Sequence, residues 1–103
     1  MAKFLITYHG GGPMPSDPQA RQQMLAAFTA WATGVGEAML DPGAPLGPAK
    51  TVTSDGVTDG EPGGAGGYTL LSAGSLDEAA ELVRDHPFVS RGGTLRVAEA
   101  MTP

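Results

Sequence analysis

The chain has 103 residues, six basic against eleven acidic side chains, a net charge of −5 at pH 7 and no cysteine. That length supports one core, hence a single domain over 1–103. Without cysteine there is no disulfide framework, thiolate metal site or thiol nucleophile, and six scattered cations do not make a phosphate-backbone surface, so no nucleic-acid partner is expected.

Lys3-Phe4-Leu5-Ile6-Thr7-Tyr8 opens the chain as a strand by composition, too short and too polar at its flanks for a signal peptide or a membrane span. A cytoplasmic protein with no membrane partner is the expectation. Gly10-Gly11-Gly12-Pro13 stops the strand. Asp17 and Pro18 then open a helix, as N-cap and first-turn proline, with Ser16 and Gln19 as a rival capping box. Leu25, Phe28, Trp31 (or Ala32), Val35 and Met39 follow at spacings of three and four, one apolar stripe on a helix over about 17–38.

Three prolines in 41–48 exclude a regular central strand there. Lys50–Thr53 and Val57-Thr58 flank Ser54-Asp55-Gly56 and read as a hairpin. Tyr68–Ser72 is the next strand. Ser75 with Glu78 caps a second helix with Ala79, Leu82 and Val83 on its buried face, and Pro87 ends it near Asp85. Thr94–Ala100 is the last strand, with Leu95 and Val97 on one face and Thr94, Arg96 and Ala98 on the other.

The order strand, long helix, strand or hairpin, strand, helix, strand predicts an α+β, ferredoxin-like βαββαβ fold, a four-stranded antiparallel sheet with both helices on one face. Phe4, Ile6, Tyr8, Thr69 and Leu71 are assigned to the sheet face away from the helices. A patch so apolar predicts a homodimer joined through that open face.

Read in order, several pieces resemble the YCII-related, or DGPF-domain, family. They are the first strand, the Thr51-Val52-Thr53 hairpin, Val57-Thr58-Asp59-Gly60, Gly66-Gly67-Tyr68, Ser75-Leu76-Asp77-Glu78-Ala79, His86-Pro87-Phe88 and Gly92-Gly93-Thr94. The resemblance implies a dimeric α+β barrel with a pocket between sheet and helices, and acid–base chemistry by a His–Asp pair in some members. Where the family has Asp-Gly-Pro-Phe, this chain has Asp59-Gly60-Glu61-Pro62-Gly63, without the aromatic and the following lysine. The aspartate that some members carry before proline is replaced here by His86.

The candidate catalytic residues are His9, His86 and Asp41. His9 ends a strand beside glycines that let a ligand approach, and histidine transfers protons near neutral pH. His86 follows the second helix, where a cation would also suit the negative helix end. Asp41 precedes a proline after the long helix, where turn chemistry is the competing reading. All three are expected to converge between sheet and long helix. Tyr8, Trp31 and Tyr68 are the candidate substrate-binding residues, through two phenols and an indole, against the plainer roles of sheet and core packing.

No cofactor is expected, because no G-x-G-x-x-G or P-loop spacing follows the glycine run. No metal is expected either; His9, His86 and a carboxylate are the only set on offer. Two functions follow. One is a small cofactor-free enzyme doing acid–base chemistry on a small organic substrate in a dimer pocket. The other is a non-catalytic ligand-binding or accessory module. Analogy with related dimeric barrels favours the first.

Overall fold

The computed structural model describes residues 1–11, 15–60 and 64–102. The end of the first glycine run at Gly12-Pro13, and the Glu61-Pro62-Gly63 departure from the family loop, lie outside the described residues. The elements are β1 (Ala2–Gly10), α1 (Pro18–Val35), β2 (Met39–Pro45), β3 (Lys50–Thr53), β4 (Gly56–Asp59), β5 (Gly67–Ala73), α2 (Leu76–Val83), α3 (Pro87–Ser90) and β6 (Gly93–Ala100). A 3₁₀ turn, Gly36–Ala38, joins α1 to β2.

The four-stranded sheet runs β2-β5-β1-β6, and every neighbouring pair is antiparallel. The two helices between strands give this order its ferredoxin-like form. The expected fold class holds, with one correction. The second strand of the sheet is β2, whereas the Lys50–Asp59 hairpin forms a separate two-stranded sheet. Three prolines do bar a central strand, but β2 is an edge, where a missing N–H faces no partner. Its ladder with β5 is interrupted twice, after Met39 and after Asp41. Gly43 sits in the second interruption at φ +76°, and a Cβ there would collide with the Tyr68 carbonyl.

The two faces of the sheet are the reverse of the sequence expectation. Phe4, Ile6, Leu71 and Thr69 are fully buried under the helices. Ala79 packs with Phe4, and Val83 with Ile6 and Leu71. The register leaves Lys3, Leu5, Thr7 and His9 of β1 on the other face, beside Tyr68, Leu70 and Ser72 of β5 and Thr94, Arg96 and Ala98 of β6. The most apolar set is therefore the core itself. The period of two identifies which residues share a face but not which face the helices choose.

The helices are seated unequally. In α2, Ser75 Oγ accepts the Glu78 N–H at 3.1 Å, and the Glu78 carboxylate accepts the Gly74 N–H at 2.9 Å. This cap fixes where α2 starts and hence which side of it covers Phe4. In α1, Asp17 accepts the Gln19 N–H as expected, yet no residue of the helix is fully buried, and Leu25 of the apolar stripe is 67% exposed. The hairpin also stands apart, with Val52 73% and Val57 60% exposed. The radius of gyration is 15.0 Å, against about 13 Å for a compact chain of this length.

Candidate active site

The sheet divides the six candidate residues into two groups. Tyr8, Trp31 and His86 meet on the helix side. His9, Asp41 and Tyr68 do not join them, which corrects the expected convergence. His9 is odd-numbered in β1 and falls on the open face, where its Nε2 lies 2.9 Å from Thr7 Oγ1. Asp41 Oδ1 accepts the Gly43 N–H at 2.8 Å, closing a turn in the edge strand. Tyr68 pairs with Thr7 and shares the open face.

His86 is 2% exposed and caps the N-terminus of the short helix α3. Its Nδ1 accepts the Phe88 N–H at 3.0 Å, so that nitrogen carries no proton. Nε2 must then be the protonated one, and it lies 3.0 Å from the Tyr8 hydroxyl. From the far end, Thr69 Oγ1 donates to the Pro42 carbonyl at 2.9 Å, which spends its only proton. Tyr8 must therefore donate to Thr69 across 2.7 Å and accept from His86. The chain Phe88 N–H, His86, Tyr8, Thr69, Pro42 C=O has a single direction, and it ties α3 to β1, β5 and β2.

Burial, reinforced by the Arg91 guanidinium, pushes the His86 imidazolium pKa down to about 4. The ring is neutral at physiological pH, so the expected helix-end cation is replaced by a neutral N-cap. Burial also raises the Tyr8 phenol above its ordinary value, partly offset by the Thr69 hydrogen bond. Both shifts keep the protons where the hydrogen bonds require them.

Aromatic rings enclose the pair. The Trp31 ring centre lies 4.3 Å from that of His86, with Phe28 at 5.6 Å and Tyr8 edge-on at 5.2 Å. Phe88 meets Tyr8 at 5.2 Å. Trp31 Nε1 donates to the Leu82 carbonyl at 2.9 Å and so fastens α1 to α2. Sequence reasoning missed Thr69, Phe28 and Phe88 as neighbours of His86. For Phe88 the signal was the glycine pair: a Cβ at Gly93 or Gly11 would run into its ring, so those glycines make room for it.

The arrangement offers an O–H donor, Tyr8, braced by a neutral N–H donor and bordered by half-buried rings. Two surface depressions lie away from this group, one at the hairpin base by Lys50 and Asp59 and one beside α2 by Asp77, Glu78 and Glu81. Among the described residues no cluster of three His, Asp or Glu side chains is placed to hold a metal. No helix among them is long and apolar enough to cross a membrane.

No family model and no curated protein matches the chain. A solved structure does: 5-chloro-2-hydroxyhydroquinone dehydrochlorinase (TftG) from Burkholderia phenoliruptrix AC1100, in complex with 2,5-dihydroxybenzoquinone, is similar with a TM-score of 0.59 and 24% identity over 98% of this chain and 95% of that one. Likeness at this level is a likeness of fold.

Proposed function

We propose that this chain is a small, cofactor-free enzyme of the YCII-related type, working in the cytoplasm as a homodimer, that transfers protons on a flat, oxygen-bearing organic ring. The observation that carries this reading is the directed chain from His86 through Tyr8 to Thr69 beneath Trp31, Phe28 and Phe88. A substrate oxygen that takes the place of Thr69 meets the Tyr8 O–H. As that proton leaves, the His86 Nε2–H stabilises the phenolate, a fixed donor aimed at developing charge. The surrounding rings suit a planar substrate. The fold shared with a protein whose structure is a complex with 2,5-dihydroxybenzoquinone, and the ordered motifs that resemble the YCII-related family, support the same substrate class.

The test is exchange of the ring hydrogens of 2,5-dihydroxybenzoquinone for deuterium, followed by proton NMR. The expected result is catalysed exchange that Tyr8→Phe lowers about a hundredfold, the usual scale for a lost acid. Exchange at the uncatalysed rate with the wild-type chain overturns the proposal.

One observation favours the accessory-module alternative. Both nitrogens of His86 and the Tyr8 hydroxyl are already satisfied within the chain. Saturable binding of the quinone at Trp31 without any exchange would select that reading.

A further inference from the structure

The open face of the sheet holds cations that the rest of the chain does not use. Of six cationic side chains, Lys50 and Arg84 form salt bridges with Asp59 and Glu81. Arg21 donates to the Pro15 carbonyl, and Arg91 meets Met24 Sδ and the Phe88 ring. Lys3 and Arg96 have no side-chain partner among the described residues, and the register puts both on the open face.

Their neighbours on that face form ordered rows. Arg96, Thr7 and Tyr68 are successive cross-strand partners on β6, β1 and β5. Ala98, Leu5 and Leu70 form the next row, and Ala100, Lys3 and Ser72 lie beyond it. Directly paired side chains stand about 5 Å apart, so the first row extends about 10 Å from Arg96 to Tyr68. It combines a forked guanidinium with two hydroxyls, and the row beside it is apolar. Asp41, the carboxylate that pairs with Leu70, already accepts the Gly43 N–H.

We propose that this face is a second site, separate from the His86–Tyr8 group, that binds a small organic anion. The anionic oxygens lie on Arg96 and Thr7, with Tyr68 at the far side and the apolar body over Leu5, Leu70 and Ala98. Arg96 is the specificity residue, since its planar fork matches a carboxylate or phenolate. Thr7 also holds His9 through its hydroxyl, so an anion on Thr7 registers at the His9 ring. Covering of this face by a second copy, proposed above, encloses the array.

Benzoate, with neutral benzamide as control, tests this in an amide NMR titration. Saturable shifts are expected at Thr7, Tyr68 and Arg96, with Arg96→Gln weakening benzoate at least tenfold, Arg96→Lys weakening it less, and benzamide at least tenfold weaker than benzoate. Arg96 is exposed on the protomer and has no part in its core, so an unchanged melting temperature shows that the variants fold. Absence of saturable shifts at those residues, wild-type affinity in Arg96→Gln, or shifts confined to Phe28, Trp31 and Phe88 would overturn the proposal. Sedimentation with and without benzoate separates the two readings. A monomer that binds benzoate at Arg96 sinks the dimer and keeps the site; a dimer that ignores benzoate sinks the site alone.

Discussion

His86 Nε2 donates to the Tyr8 oxygen across 3.0 Å, and the rest of the chain leaves that bond only one direction. A backbone N–H at Nδ1 and a carbonyl beyond Thr69 settle both ends. No buried side-chain polar atom among the described residues is left unpartnered. A fully satisfied network of this kind specifies one arrangement of the strands and helices that contribute to it.

Tyr8→Phe removes the middle of the chain and strands one of its two neighbours. Thr69 keeps its bond to the Pro42 carbonyl, whereas the His86 Nε2–H loses its acceptor while buried. The expected cost is about 1–3 kcal/mol in urea melts, the penalty for an unsatisfied buried group. Combined with His86→Asn, the losses should fall short of additive, because the second change removes the stranded donor. Additive losses would show that the two side chains are not coupled.

Stability should fall on the acid side. The unfolded chain binds a proton at His86 near the ordinary value of about 6.5, whereas the folded chain resists it until about 4. Between these values the unfolded state holds more protons, so stability rises with pH through the window and is complete above it. The contribution lost by about pH 4 is at most about 3 kcal/mol. His86→Asn keeps an N-cap acceptor and removes the titration, so its stability should vary less from pH 7 to 4. The single tryptophan packs at a tilt against His86 and reports the same protonation by fluorescence. A wild-type profile as flat as that of the variant would contradict the assignment.

Much of the fold was legible because local signals agreed with the final packing. Asp17-Pro18 and Ser75…Glu78 start helices where the sequence places them, and Ser54-Asp55-Gly56 turns a hairpin. What escaped was decided by tertiary contact. The prolines of β2 obscured an edge strand that needs few ladder bonds. The strand period could not choose the helix-facing side, and this sent His9 and Tyr68 to the wrong place while Tyr8 fell beside His86. The pairing of Tyr8 with His86 spans most of the chain, and Thr69 joins it only through the register of β5 on β1.

Correcting the faces changes what an assembly experiment should show. Ile6 is fully buried under the helices, so Ile6→Asp should unfold the chain, an unpaired buried carboxylate costing several kcal/mol. Leu5 is its neighbour on the open face, and Leu5→Asp should leave the fold intact and dissociate the homodimer. Sedimentation equilibrium should give twice the chain mass for the wild type and the chain mass for Leu5→Asp. A wild-type monomer would remove the dimer from the proposal.

Cap and core contribute separately, the first at α2 and the second on α1. Ser75→Ala should cost about 1 kcal/mol by removing the acceptor for the Glu78 N–H. Phe28→Ala should cost less than the 3–5 kcal/mol typical of a fully buried aromatic, because Phe28 is only half-buried on a loosely seated helix. Urea melts of the two variants check both values, and a Phe28→Ala loss above that range would place α1 firmly in the core.

Gly43→Ala connects the edge strand to the hydrogen-bonded chain. Gly43 has φ +76°, its N–H is held by Asp41, and a Cβ would strike the Tyr68 carbonyl. The backbone strain alone is worth about 1–3 kcal/mol, and relief of the clash must move β2 away from β5. The neighbouring Pro42 carbonyl moves with it, and that carbonyl is the acceptor that fixes the direction of Thr69 and Tyr8. With Pro42 displaced, Thr69 regains a free proton and can donate to Tyr8, so Tyr8 no longer has to donate to Thr69. Gly43→Ala is therefore expected to lose stability by urea melt and to alter the Tyr8 hydroxyl and His86 ring resonances, which are remote from the substitution in sequence. Asp41→Ala, which removes only the turn acceptor, should shift the same resonances in the same direction by a smaller amount. Unchanged His86 resonances in a destabilised Gly43→Ala chain would show that the edge strand and the chain of hydrogen bonds are independent.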